Sequence, residues 1–261
     1  MTDELLVTDD GALRTLTINR PDRRNALTPE LTAALATSLG EVGDREDVRM
    51  VVIRGAGGHF SVGLDLHWIS QLGSTPSPTL IEEGLRDFQS VIRSIGQTPV
   101  PVVAAMEGNV AGFGFDLALA CDLRYADASA VLTSAFARMG LVPDGGSTMT
   151  LPRLIGASRA FRLLVDGSAI SATEALKIGL VDVVSPPGAL DTALHELATA
   201  VSGSARSSVA TIKRLLQRGA WGRLQETLTA EGKAQALAMG GEEFRQRLAS
   251  FVERSEPEKP Q

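Results

Sequence analysis

Two stretches of this chain, Met50–Gly55 (MVVIRG) and Pro101–Gly108 (PVVAAMEG), are short, almost continuously apolar and carry a glycine at their ends. A strand with apolar side chains on both sides has no face to offer to water. It must be covered above and below, as the inner strands of a parallel sheet are. Parallel neighbours need a crossover, and Leu80–Ile95 (LIEEGLRDFQSVIRSI), between the two runs, repeats leucine and isoleucine at helical spacing. Upstream, Thr28 suits an N-cap and Pro29 the first helical position ahead of LTAALATSLGEV. Earlier still, LLVTDDGALRTLTINR reads as two β-runs around Asp9-Asp10-Gly11, a hairpin signal. Strand, helix, strand, helix, strand is the order of an α/β protein with right-handed crossovers.

From Ala157 onward the pattern turns mainly helical, through SRAFRLLVDG, SATEALKIG, ALDTALHELATAVS, SSVATIKRLLQR, RLQETLTAEGKAQALAM and GEEFRQRLASFVER. This divides the chain into a core domain, residues 1–195, and a helical C-terminal region, 196–261, with the boundary somewhere between Gly188 and Ser207. The last residues, SEPEKPQ, are charged and contain proline, a composition that predicts disorder.

Several classes of function fall away on composition. The formal net charge is −6 with no basic stripe, which argues against a nucleic-acid partner. The acidic start, MTDELLVTDD, lacks the apolar segment of a secretory signal, and no uncharged apolar run is long enough to cross a bilayer. A soluble, cytoplasmic protein is the expectation. Cys121 is the only cysteine and sits in the apolar stretch LALACDL, where a buried, inert thiol is expected. His59, His67 and His195 are scattered without metal-ligand spacing, so neither a metal site nor Ser-His-Asp chemistry is supported.

Two glycine-bearing loops follow the two apolar strands: Gly55–Leu66 (GAGGHFSVGLDL) and Glu107–Asp116 (EGNVAGFGFD), the second running into the helix LALACDL. Ligands of α/β sheets bind beyond the carboxyl ends of strands, and glycines allow close backbone approach to them. A helix start adds unpaired N–H groups. Neither loop matches a dinucleotide or P-loop pattern, and glycine loops alone are equally ordinary tight turns.

The residues around them decide more. Asn19–Leu27 (NRPDRRNAL), then HFSVGLDL, EGNVAGFGFDLALACDLRYA and GLVPDGGS, then LPRLIGASRAFRLLVDG and ATEALKIGLVDVV, resemble the crotonase (enoyl-CoA hydratase/isomerase) superfamily in order and spacing. The resemblance runs from about Leu5 to Arg254. It implies a ββα-spiral α/β core, a C-terminal helical region that makes trimers or dimers of trimers, and a thioester substrate on CoA or an acyl carrier protein, with no further cofactor. It places an oxyanion hole at the amides of Leu64 and Phe113. Phe113 departs from the Gly or Ala usual there, but a backbone donor survives any side chain. The chemical need is general: enolate charge on a thioester oxygen is stabilised by preorganised donors.

Of the two glutamates that hydratases of this superfamily use, the first corresponds to Asp116 and the second to Phe136, which has no acid to offer. Asp144, in GLVPDGG, corresponds to the aspartate base of enoyl-CoA isomerases. Read without the resemblance, Asp144 is a turn residue in Pro-Asp-Gly and Asp116 an acid at a helix start. The resemblance also places CoA contacts at Arg23, Arg24, Ala26, Val62, Leu64, Asp65, Leu66 and Arg254. It places the acyl pocket wall at Trp68, Phe88, Phe136 and Leu141. Arg23 and Arg24 read equally as a solvated basic pair, and Trp68 and Phe88 as core. The expected reaction is movement of a double bond between the 3-enoyl and 2-enoyl positions. Hydration, decarboxylation, C–C cleavage and non-catalytic acyl-CoA binding stand as alternatives.

Overall fold

In the computed structural model, which describes residues 3–71, 78–217 and 220–255, both apolar runs are inner strands. Strand β1 (Leu5–Asp10) turns through Gly11 into β2 (Leu13–Ile18), and the two pair antiparallel from Leu5↔Ile18 to Asp10↔Leu13. Next come β3 (Met50–Gly55), β4 (Val102–Met106), β5 (Asn109–Ala111), β6 (Leu123–Asp127), β7 (Val131–Thr133), β8 (Ile170–Ser171) and β9 (Val183–Ser185). The main sheet runs β1-β2-β3-β4-β6-β9, parallel from β2 onward, and a small second sheet runs β5-β7-β8.

Helix α1 (Pro29–Gly40) begins as the sequence predicts, with Thr28 Oγ1 accepting the Leu31 N–H at 3.3 Å. After the short α2 (Leu66–Gln71), α3 (Pro78–Gln97) forms the crossover from β3 to β4. Leu31, Leu35 and Leu39 of α1 and Val91, Ile92 and Ile95 of α3 join Val51, Ile53, Val102 and Ala104 in one buried cluster. Met50, Val52, Val103 and Ala105 point the other way, into a second cluster. That alternation is why both runs read as apolar throughout: each side of the pleat has its own cover.

The chain continues through α4 (Phe113–Ala120), α5 (Ser147–Ile155), α6 (Ala157–Asp166), α7 (Ala172–Lys177), α8 (Leu190–Ser202), α9 (Arg206–Gln217), α10 (Ala220–Met239) and α11 (Glu242–Ser255). The cover of the second sheet face is α8, through Leu190, Leu194 and Ala198. The expected division after residue 195 falls inside this helix, whose two halves bury residues in the same cluster. The helical reading from Ala157 also missed β8 and β9. They are only two and three residues long, too short to show a period, and pairing with β7 and β6 makes them strands. The C-terminal helices are fastened to the core by Lys213 of α9. Its buried Nζ donates to the carbonyls of Ile95 (2.9 Å) and Val100 (3.0 Å) and pairs with Asp122 at 2.6 Å. Of the tail SEPEKPQ called disordered, Ser255 closes α11 and residues 256–261 lie outside the described residues.

Candidate active site

The loops that follow β3 and β4 lie side by side. Residues 61 and 110 form a parallel bridge, and Ala111 N–H donates to Ser61 O at 2.9 Å. Behind them, buried Asn25 donates to the carbonyls of Ala56 (2.8 Å) and His59 (2.6 Å), while its own carbonyl accepts Ser61 Oγ at 2.8 Å. Asn25 and Arg24 are the described non-glycine residues with positive φ (58° and 48°), a strained pair held by this network. Gly63, at φ 92°, makes the closest approach. A Cβ there would lie 2.7 Å from Phe113 N and 2.9 Å from Ala111 O, so the site excludes every larger residue. Leu64 and Phe113 are thereby neighbours. Neither amide donates a hydrogen bond within the described residues, and Phe113 opens α4, where the helix leaves its first N–H groups free. Both residues also line one cavity.

A cavity of about 610 Å³ opens in front of them. Arg23, Arg24, Ala26, Val62, Leu64, Asp65, Leu66, Phe113, Phe136 and Leu141, all singled out from the sequence, line it. The Arg23 and Arg24 guanidiniums are exposed at its rim, beside Asp22, and have no carboxylate partner among the described residues. Asp65 is committed elsewhere: it pairs with Arg20 at 2.9 Å and caps α2 through the N–H groups of His67 (3.0 Å) and Trp68 (3.2 Å). These bonds hold its carboxyl below the usual range despite burial. Arg254 is not at the cavity. It turns back on the Ser250 carbonyl (2.9 Å), and the α11 residue that lines the cavity is Phe251, one turn earlier. Trp68 and Phe88 line a separate cavity of about 470 Å³, which shares Leu64 with the first. The expected single pocket wall is thus split between two cavities.

The acids also depart from expectation. Asp144 was expected to face the cavity; both Asp144 and Asp116 are fully buried behind its wall. Asp116 Oδ2 accepts the N–H groups of Gly145 (2.7 Å) and Asp144 (3.4 Å). Gln235, which does line the cavity, reaches Asp144 Oδ2 through Nε2 at 3.4 Å and accepts the Val142 N–H at 2.9 Å. Asp144 Oδ1 and Asp116 Oδ1 have no hydrogen-bond partner among the described residues. A third carboxylate, Glu231, accepts Gly146 N–H (2.7 Å), Thr148 N–H (3.1 Å) and the Thr148 hydroxyl.

Burial, then the Glu231 charge, pushes the Asp116 carboxyl up to about 8. Burial raises Asp144 well above the usual carboxylate range, with the charges of Asp116 and Glu231 adding to it. Burial raises Glu231 as well, but its donors from Thr148 and Gly146 oppose that, and with the most donors it is the best placed of the three to stay ionised. Asp144, with only one long contact to its carboxylate, is the poorest, and it holds a proton readily.

Sequence reading missed Glu231, Gln235 and Gln89, whose Nε2 donates to the carbonyls of Asp144 (3.0 Å) and Leu228 (2.8 Å). Glu231 and Gln235 are four apart on α10, so they share a helix face, but nothing local shows that the face is buried. Cys121 is as expected: buried, its thiol pushed up to about 12 by desolvation. No group of three or more His, Cys, Asp or Glu side chains among the described residues is placed to hold a metal ion. No helix among them is long and apolar enough to cross a membrane.

Fold and site together define an α/β spiral enzyme of the crotonase type. The sequence pattern of enoyl-CoA hydratase/isomerase matches residues 8–260, and the chain belongs to that family. It is similar to the 1,2-epoxyphenylacetyl-CoA isomerase of Escherichia coli, 32% identical over 250 residues and 95% of each chain. A probable enoyl-CoA hydratase of Rhodobacter capsulatus is 32% identical over 94% of this chain and 93% of its own. Among solved structures, the enoyl-CoA hydratase of Bacillus halodurans superposes with a TM-score of 0.89 at 25% identity, covering 95% of this chain and 100% of that one. A putative enoyl-CoA hydratase of Thermobifida fusca, in complex with acetoacetyl-CoA, gives 0.73 at 32% identity over 87% and 93%.

Proposed function

We propose that this enzyme moves a double bond between the 3-enoyl and 2-enoyl positions of an acyl-CoA. The thioester oxygen sits on the Leu64 and Phe113 amides, and Asp144 carries the proton. The observation behind this reading is the pairing of Phe136 with Asp144. Phe136 lines the cavity at the position the resemblance gives to the second hydratase glutamate. The acid linked to that cavity, through Gln235, is Asp144, with a free Oδ1 and a raised affinity for protons. One carboxylate suffices for isomerisation. With the Gln235 side chain turned aside so that Asp144 meets the acyl chain, it removes a proton from one carbon as the enolate forms on the oxyanion hole, then returns it two carbons away, and no water has to be activated. Arg23 and Arg24, uncompensated at the rim, suit the phosphates of CoA.

Purified protein given a 3-enoyl-CoA should produce the 2-enoyl isomer, with little 3-hydroxyacyl-CoA. Hydration of 2-enoyl-CoA without isomerisation at any chain length overturns the reading in favour of a hydratase. A preference for carrier-bound thioesters would move the substrate, not the reaction. The assembly proposed is a trimer or a dimer of trimers, supported by Ile212, Leu215 and Leu216 exposed on α9 and Leu237 on α10. A concentration-independent monomer mass in sedimentation overturns it.

A further inference from the structure

Phe113 stands where three parts of the site meet. Its ring lies edge-on to Phe88, with centroids 5.7 Å apart and planes at 69°, and Phe88 is in turn edge-on to Trp68 at 5.9 Å. On another side the ring reaches the Asp144 loop. A Cβ on Gly145 would lie 3.1 Å from Phe113 Cε2 and 2.6 Å from Asp116 Cβ. Phe113 lines the 610 Å³ cavity, Phe88 and Trp68 line the 470 Å³ cavity, and Leu64 lines both. The ring is 1% exposed and close-packed, so it turns aside only if Phe88 or the Gly145 loop moves as well.

We infer that Phe113 sets the acyl specificity: its ring closes the acyl site and restricts the enzyme to compact acyl groups, and the space lined by Trp68 and Phe88 is shut off behind it. This rests on the thioester reading above. An acyl group whose carbonyl oxygen meets the Phe113 amide must run its chain past the ring of that same residue. A buried methylene is typically worth about fourfold in affinity. A chain stopped at the Phe113–Phe88 pair forgoes that gain. With the ring removed, the space it fills against Phe88 joins the first cavity to the second beside Leu64, and the chain reaches Ile69, Ile81, Leu85 and Met239.

The test is calorimetric affinity for saturated acyl-CoAs from butanoyl to dodecanoyl, which bind without turnover, using the wild type, Phe113→Ala and Phe113→Leu. The wild type should stop gaining affinity at a short chain. Phe113→Ala should keep gaining, by about two- to fourfold per methylene over the next several carbons. Phe113→Leu, which keeps an apolar side chain in the core, should fall between, and it carries the test if the alanine variant does not fold. Equal length profiles in the wild type and the folded variants overturn the inference while leaving the thioester reading intact. Failure of every acyl-CoA to bind the wild type overturns both.

Discussion

Glu231 of helix α10 accepts the amide N–H of Gly146 at 2.7 Å, so the C-terminal helical region grips the loop that carries Asp144. The grip has three donors, from Gly146 and Thr148, and Gln235 adds a fourth bond at Val142 one helical turn on. A glycine-containing loop is thus pinned by a helix far along the chain.

Glu231 also works through its charge. In Glu231→Gln the charge that raises Asp116 and Asp144 is gone, while an amide oxygen still accepts one of the donors. The activity limb that rises with pH should move toward lower pH, by on the order of one unit. Stability should fall by about 1–3 kcal/mol for the donors left short. A loss of stability with an unmoved limb would make Glu231 a purely structural clasp.

Asp144→Asn should lower kcat by about 10²–10⁴-fold, the usual worth of a positioned acid–base group, with acyl-CoA binding retained. Asp116→Asn should cost less, because the Asp116 carboxylate bonds to the Asp144 loop, whereas Asp144 reaches the cavity-lining Gln235. The reverse ranking in steady-state kinetics would transfer the base to Asp116.

The raised Asp116 carboxyl makes a prediction about stability against pH. Its folded value, about 8, lies above the ordinary 3.8, so the folded state holds a proton that the unfolded chain has lost. Where the folded state binds more protons, stability falls as pH rises. Between about pH 4 and 8 this group should therefore destabilise the fold progressively, by up to about 1.4 kcal/mol per pH unit. Denaturant titrations across that range should show a shallower decline in Asp116→Asn than in the wild type. Parallel curves would mean that Asp116 is ionised in the folded protein.

Arg23→Ala combined with Arg24→Ala should raise KM for an acyl-CoA by roughly tenfold, the scale of one or two charge-assisted hydrogen bonds. It should leave KM for the matching acyl-pantetheine thioester, which lacks the nucleotide, nearly unchanged. An equal effect on both substrates would place these arginines in support of the loop and not on phosphate.

What the sequence by itself determined is what depends on short-range periodicity and local chemistry. Met50–Gly55 read as a strand covered on both faces, Thr28-Pro29 as the opening of a helix, and the spacing of the glycine loops with Pro143-Asp144-Gly145 pointed to the family. The cavity residues Arg23, Arg24 and Ala26, and Val62 to Leu66, were legible through the resemblance of two separate short motifs, each of which carries its own residues to the cavity. The tertiary structure alone decided which long-range partners those residues meet. The sequence did not show that Asp144 is sealed behind the cavity wall with Asp116, or that Glu231 and Gln235 come from α10 to hold it, some 90 residues away along the chain. Nor did it show that the Phe113 ring packs on Phe88, which lines a second cavity. Burial and electrostatic coupling depend on what packs from elsewhere, and no local pattern encodes the dielectric or the neighbours a carboxylate will find.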